Sequence, residues 1–151
     1  MNGGGSSASA TAIANARYLL YASNCMSPRT APVERAPAPA PVLAKAALSA
    51  AVNLGLNGRQ LAEIIGTSEA SVSRLRGGRG LDPERKEGEL ALLFLRLYRS
   101  LDTLVGGDEA KARDWLHSMN DHVGGIPADR IRTVEGLVDV VQYLDAMRGR
   151  L

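Results

Sequence analysis

A single cysteine, Cys25, stands among 151 residues. It has no partner for an internal disulfide and no cysteine or nearby histidine at metal-ligand spacing, so neither a disulfide scaffold nor a zinc site is expected. Aromatic side chains are scarce, with one Phe, one Trp and four Tyr, and β-branched residues are sparse as well, which disfavours a strand-built protein. No stretch approaches the roughly 18 to 20 consecutive apolar residues of a membrane span. The opening MNGGGSSASA lacks both a charged n-region and an apolar core, so no leader is expected and the chain reads as cytoplasmic, with no membrane partner.

Catalytic patterns are missing too. His117 and His122 are five positions apart across a helix end, a spacing that fails the one-face geometry of a helical metal pair, and no third ligand is evident. Asp108, Asp114 and Asp121 read as a helix cap and solvated surface. No Ser-His-Asp set, phosphate-binding loop or dinucleotide fingerprint occurs, so no catalytic residue, metal or cofactor is expected and the chain is read as a non-enzyme.

What is present is helix-forming: 22 Ala and 20 Leu. The fold class expected is all-α. Net charge is only +2, yet it is unevenly spread: three basic and one acidic side chain in residues 1–40, seven and four in 41–86, eight and eleven in 87–151. A basic middle and an acidic end suggest two different partners.

Residues 1–40 hold 22 Gly, Ser, Ala or Pro, with APAPAP at 36–41 favouring extended backbone. This segment is read as a disordered arm, with one apolar island at 12–22 long enough for a marginal helix. From Val42 a stripe of Val42, Leu43, Ala46, Ala47, Ala50, Ala51 and Leu54 predicts a helix ended by Gly55. Asn57 then caps a two-turn helix, Gly66 supplies a tight turn, Ser68 caps a second short helix, and Gly77 and Gly78 stop it. Two short helices joined by a glycine turn form a helix-turn-helix pattern, assigned to residues 41–86.

In such a unit Ala62 lies at the helix crossing and Val72 faces inward, leaving Glu69, Ala70, Ser71, Ser73 and Arg74 outward. Arg74 is the first choice for reading a guanine edge through two donors. Ser68, Ser71 and Ser73 can donate to phosphate or bases, and Arg59, Arg76 and Arg79 stand where phosphates would pass. A helical hairpin that merely packs is the structural alternative. The run RGGRG at 76–80 has the look of an RNA-binding tract, but a helix stop explains its glycines better.

Residues 87–151 are assigned to a second domain. GELALLFLRLYRSLDTLVGG at 88–107 is apolar almost all round, so it is either the centre of a bundle or shares its surface with another subunit. Asp108 caps a helix ending near His117, and Gly124, Gly125 and Pro127 shape the loop NDHVGGIP. Thr133 caps a final helix with Val134, Leu137, Val138, Val141 and Leu144 on one face and Glu135, Asp139, Gln142 and Asp145 on the other, closed by Gly149.

The segment LNGRQLAEIIGTSEASVSRLRGG at 56–78 resembles an Xre-type helix-turn-helix. Trp115-Leu116, Asn120, Gly124-Gly125, Pro127, Thr133, Gly136 and Gly149, in that order, resemble the toxin-binding domain of Xre/MbcA/ParS antitoxins. Met119 departs from the pattern, where such domains often carry proline. The resemblance implies a bacterial antitoxin whose partner is a RES-domain toxin, encoded nearby, that consumes NAD or uses it to ADP-ribosylate a target. It further implies occlusion of the toxin's active site, repression of its own operon by binding promoter DNA, homodimers, and a hetero-oligomer with the toxin. Carried over to matching positions, toxin contact falls on Asn120, Gly124, Gly125 and Pro127, and on Asp145, Arg148, Arg150 and Leu151 at the end of the last helix. A cationic tail suits a cleft that binds the pyrophosphate of NAD. The same glycines, Pro127 and Trp115 can instead shape the fold, and Arg148 and Arg150 can complement the helix dipole. A stand-alone helix-turn-helix regulator, whose C-terminal domain senses a ligand or recruits proteins, is the alternative function.

Overall fold

The computed structural model describes residues 38–149. Of the arm expected over residues 1–40, residues 1–37 with the island at 12–22 lie outside the described residues, as do Arg150 and Leu151, while Pro39 and Ala40 are helical and not part of an arm. The described part is all-α, in seven helices and one 3-10 turn: α1 Pro39–Asn53, α2 Gly58–Ile64, α3 Glu69–Arg76, α4 Lys86–Val105, α5 Glu109–His117, the turn Asp121–Val123, α6 Pro127–Arg130 and α7 Val134–Arg148.

Helix α1 starts earlier than the apolar stripe predicts. Ala38 is extended (φ −54°, ψ 135°), and Pro39 opens the helix. Amides of the first helical turn have no intrahelical acceptor, so prolines there forfeit no hydrogen bond, and a fixed φ suits the position. The buried face is Leu43, Ala44, Ala47, Ala50 and Ala51, whereas Val42, placed on that stripe by the sequence reading, is 47% exposed.

The pair α2 and α3 follows the predicted punctuation closely. Asn57 accepts from the Gln60 amide while the Gln60 side chain accepts from the Asn57 amide, a reciprocal cap. Gly66 turns the chain at φ +68°. Ser68 caps α3, with Ala62 buried between the helices and Val72 fully buried.

Helix α4 is the spine, packing against α1 on one side and α7 on another. Phe94, Leu97 and Leu101 are essentially inaccessible to water, each contributing about 1.5 to 3 kcal/mol by burial. Gly88 admits the crossing backbone at Asp82, whose carbonyl oxygen would overlap any Cβ there. Leu92 remains 49% exposed.

On α7 the core seam is Leu137, Val140, Val141 and Leu144, the i, i+3, i+4, i+7 set of one helical face. The stripe predicted through Val134 and Val138 crosses this seam obliquely: Val134 is 59% exposed and Val138 only partly covered. Asp145, predicted to face solvent, is instead turned toward α4. A single hydrophobic cluster runs through all these helices.

Candidate functional site

Two faces carry the residues singled out by sequence. The first is α3. Ser68 Oγ accepts from the Ser71 amide at 3.2 Å and lies 3.0 Å from Ser71 Oγ, so both hydroxyls are engaged at the helix start. Glu69, Ser73 and Arg74 are exposed on its outer surface. Arg74 and Arg76 fall in the last turn, where cations complement the helix dipole, and among the described residues Arg74 forms no ion pair. The Arg76 guanidinium lies over Gly58, with Nη2 3.0 Å from the place a Cβ would occupy. It therefore spans from the end of α3 to the start of α2. Arg59 on α2 reaches Glu63 at 3.4 Å. Arg79 follows Gly78 (φ +100°), its amide donating to the Arg74 carbonyl at 3.0 Å.

Sequence reasoning missed several neighbours of this face. Thr67 and Arg85 join Ser71 and Arg79 around a polar cleft of about 290 Å³, and Lys45 of α1 joins Arg76 and Arg79 at the edge of an apolar groove. Adjacent basic residues at Arg85 and Lys86 were a legible signal. Lys45 was not, because its neighbours come from distant parts of the chain.

The second face is the loop after α5 with the end of α7. Asn120 and Gly125 form an isolated antiparallel bridge, with amide-to-carbonyl distances of 3.0 and 3.1 Å. The Asn120 side chain accepts from the His122 amide at 3.0 Å. Gly124 and Gly125 both have positive φ, 69° and 149°, backbone that residues with a Cβ resist. Pro127 is buried at the start of α6. Beside the loop Tyr143 is stacked between Trp115 (centroids 6.3 Å apart) and His122 (5.8 Å), an aromatic ladder that sequence reading did not assemble.

At the end of α7, Asp145 accepts from Ser100 Oγ at 2.7 Å and from Arg96 Nε at 2.8 Å, and Arg148 comes within 3.9 Å of it. The Ser100 hydroxyl, aided by Arg96, holds the Asp145 carboxyl below its ordinary range. Neither Arg96 nor Ser100 was singled out by sequence, because their pairing depends on how α4 and α7 meet.

The faces share supports. Arg132, before α7, pairs with Glu63 on α2, and the Arg132 hydrogen bond lowers the Glu63 pKa. Arg113 Nε donates to the Asn53 carbonyl at 3.1 Å, and His117 Nε2 lies 3.1 Å from the Leu54 carbonyl, for which it must be the donor. Asp108 caps α5 through the Ala110 and Lys111 amides, and the Lys111 amide is the main reason its pKa lies low. Among the described residues no three His, Cys, Asp or Glu side chains are grouped to hold a metal ion, and no helix is long and apolar enough to cross a membrane.

Two protein families match the chain. The antitoxin Xre-like helix-turn-helix domain matches residues 34–96, and the antitoxin Xre/MbcA/ParS C-terminal toxin-binding domain matches residues 100–150. The first match covers α1 to α3 and half of α4; the second begins inside α4, so the spine helix serves both. No curated protein matches the chain.

Proposed function

Because the chain belongs to the Xre/MbcA/ParS antitoxins, we propose that it neutralises a RES-domain toxin encoded nearby and represses its own operon. The observation that carries this reading is the presence, on one hydrophobic core, of an outward-facing capped helix with a basic end and a separately built loop within the toxin-binding match.

Helix α3 enters the major groove of promoter DNA. Arg74 donates to a guanine edge, with Glu69, Ser71 and Ser73 beside it, and Ser68, Arg59, Arg76 and Arg79 hold flanking phosphates. A homodimer presents two such helices to two half-sites, formed through the domain at 87–151, where exposed Leu92 lies beside half-buried Leu95.

The toxin is met by the loop Asn120 to Pro127 and by the end of α7. Asp145 anchors the last turn to α4 while Arg148, Arg150 and Leu151 reach into the toxin's cleft. There the arginines occupy sites that otherwise hold the pyrophosphate of NAD, so the toxin neither consumes NAD nor transfers ADP-ribose from it.

Co-expression with the product of the adjacent reading frame tests the whole reading. Expected are a neighbour that arrests growth alone, restored growth in its presence, and a co-purifying complex. A harmless neighbour that does not co-purify would make the chain a stand-alone helix-turn-helix regulator.

A further inference from the structure

Between α1 and the ends of α2 and α3 lies an apolar groove of about 660 Å³, open along one side. Its floor is Leu48, Leu56, Leu61 and Leu75, and Val52, 68% exposed, forms part of the wall. Lys45, Arg76 and Arg79 stand around it, and among the described residues no carboxylate lines it. An apolar floor with a cationic rim is complementary to apolar side chains flanked by acidic ones. We propose that this groove docks an amphipathic helix of a partner protein, with large apolar side chains on one face and flanking Asp or Glu.

Shape and charge select that occupant. Small apolar ligands are normally buried over most of their surface, whereas a groove open along one side covers one face, which suits the apolar stripe of a helix. A second copy of this chain presenting the same face would bring Lys45, Arg76 and Arg79 against like charges. Acidic side chains at the ends of the stripe would pair with those cations.

The occupant also bears on DNA. Arg76 and Arg79 border the groove, and the reading above assigns both to phosphates. Resting on that reading, docking of an acidic helix and binding of promoter DNA exclude each other, so the partner acts as a derepressor.

The probe is a fluorescent 16-residue synthetic helix with Leu at i, i+3, i+4 and i+7 and Glu at flanking positions, titrated into the full chain by anisotropy, beside the same peptide with Lys for Glu. Binding at least tenfold tighter for the Glu peptide, and lost at least tenfold in Val52→Glu and in Lys45→Glu, is the expected result. Both substitutions lie at exposed positions, and circular dichroism checks that the fold is kept. Equal binding of the two peptides, no binding, or binding unchanged in Val52→Glu would overturn the proposal. So would Val52→Glu converting a dimeric chain to monomer, since a second copy would then own the groove. Promoter competition is read separately: displacement of DNA by the Glu peptide supports mutual exclusion, and a ternary complex overturns that half alone. Failure of the chain to bind DNA at all would instead count against the repressor reading and leave the direct titration decisive for the groove.

Discussion

The fully buried Ser100 on α4 donates its hydroxyl to Asp145 on α7 at 2.7 Å, and Arg96 completes the carboxylate's shell from one turn earlier. The Asp145 pKa is depressed, first by Ser100. A carboxyl whose folded pKa lies below its unfolded value, about 3.9, adds stability that is fully present above that value and fades as the pH falls through the folded pKa. Ser100→Ala should therefore cost about 1 to 2 kcal/mol at neutral pH. Urea denaturation of both proteins at pH 7 and again near pH 3 should show the gap narrowing in acid; an equal gap at both would remove the charge from the explanation.

Two glycines are required by space. A Cβ on Gly136 would overlap the Arg130 carbonyl oxygen, and one on Gly88 the Asp82 carbonyl oxygen. Backbone cannot yield as a flexible side chain does, so Gly136→Ala and Gly88→Ala should each destabilise by about 3 kcal/mol. Gly149→Ala is the control, since its nearest neighbour lies at an ordinary 3.6 Å, and it should stay within about 0.5 kcal/mol of the parent. Thermal melts of the three variants check this ordering.

Arg74→Ala should weaken promoter binding about tenfold and relax preference at one base pair. Arg79→Ala should weaken binding to all sequences alike and reduce the salt slope by about one. Electrophoretic shift assays over a salt series and a library of operator variants separate the two effects; unchanged preference in Arg74→Ala would reassign base readout to another residue.

Glu63 holds Arg59 on one side and Arg132 on the other. Glu63→Gln removes an anion beside a proposed phosphate contact, so promoter affinity should rise roughly threefold at low salt and the gain should shrink as salt is added. Reduced affinity would mean that the carboxylate positions α2 and does not restrain Arg59.

Local chemistry was the legible part of this fold. Asn57, Ser68, Asp108 and Thr133 all cap the helices they were predicted to cap, because a cap is decided by residues two or three positions apart. Gly66 likewise takes the left-handed turn expected of it. Helix faces were read less well: Val134 and Val140 are both valines at plausible positions, and only the approach of α4 decides which is buried. Ser100 with Asp145, Arg132 with Glu63, and the Trp115, Tyr143 and His122 ladder join residues distant in sequence, and no periodicity brings them together. Pro39 and Pro41 were read as extended backbone, yet both lie in the first turn of α1, because the cost of a proline depends on whether its amide is needed, and there it is not.

Titration of a purified toxin's NAD consumption with the full chain, and with a chain lacking residues 148–151, tests most directly whether neutralisation works by filling the cleft. The expected result is inhibition complete at stoichiometric full-length chain, with a truncated chain that folds and still binds the toxin yet leaves NAD consumption running. A folded truncation that inhibits as well as the full chain, or a full chain that binds without inhibiting, would contradict occlusion by the end of α7.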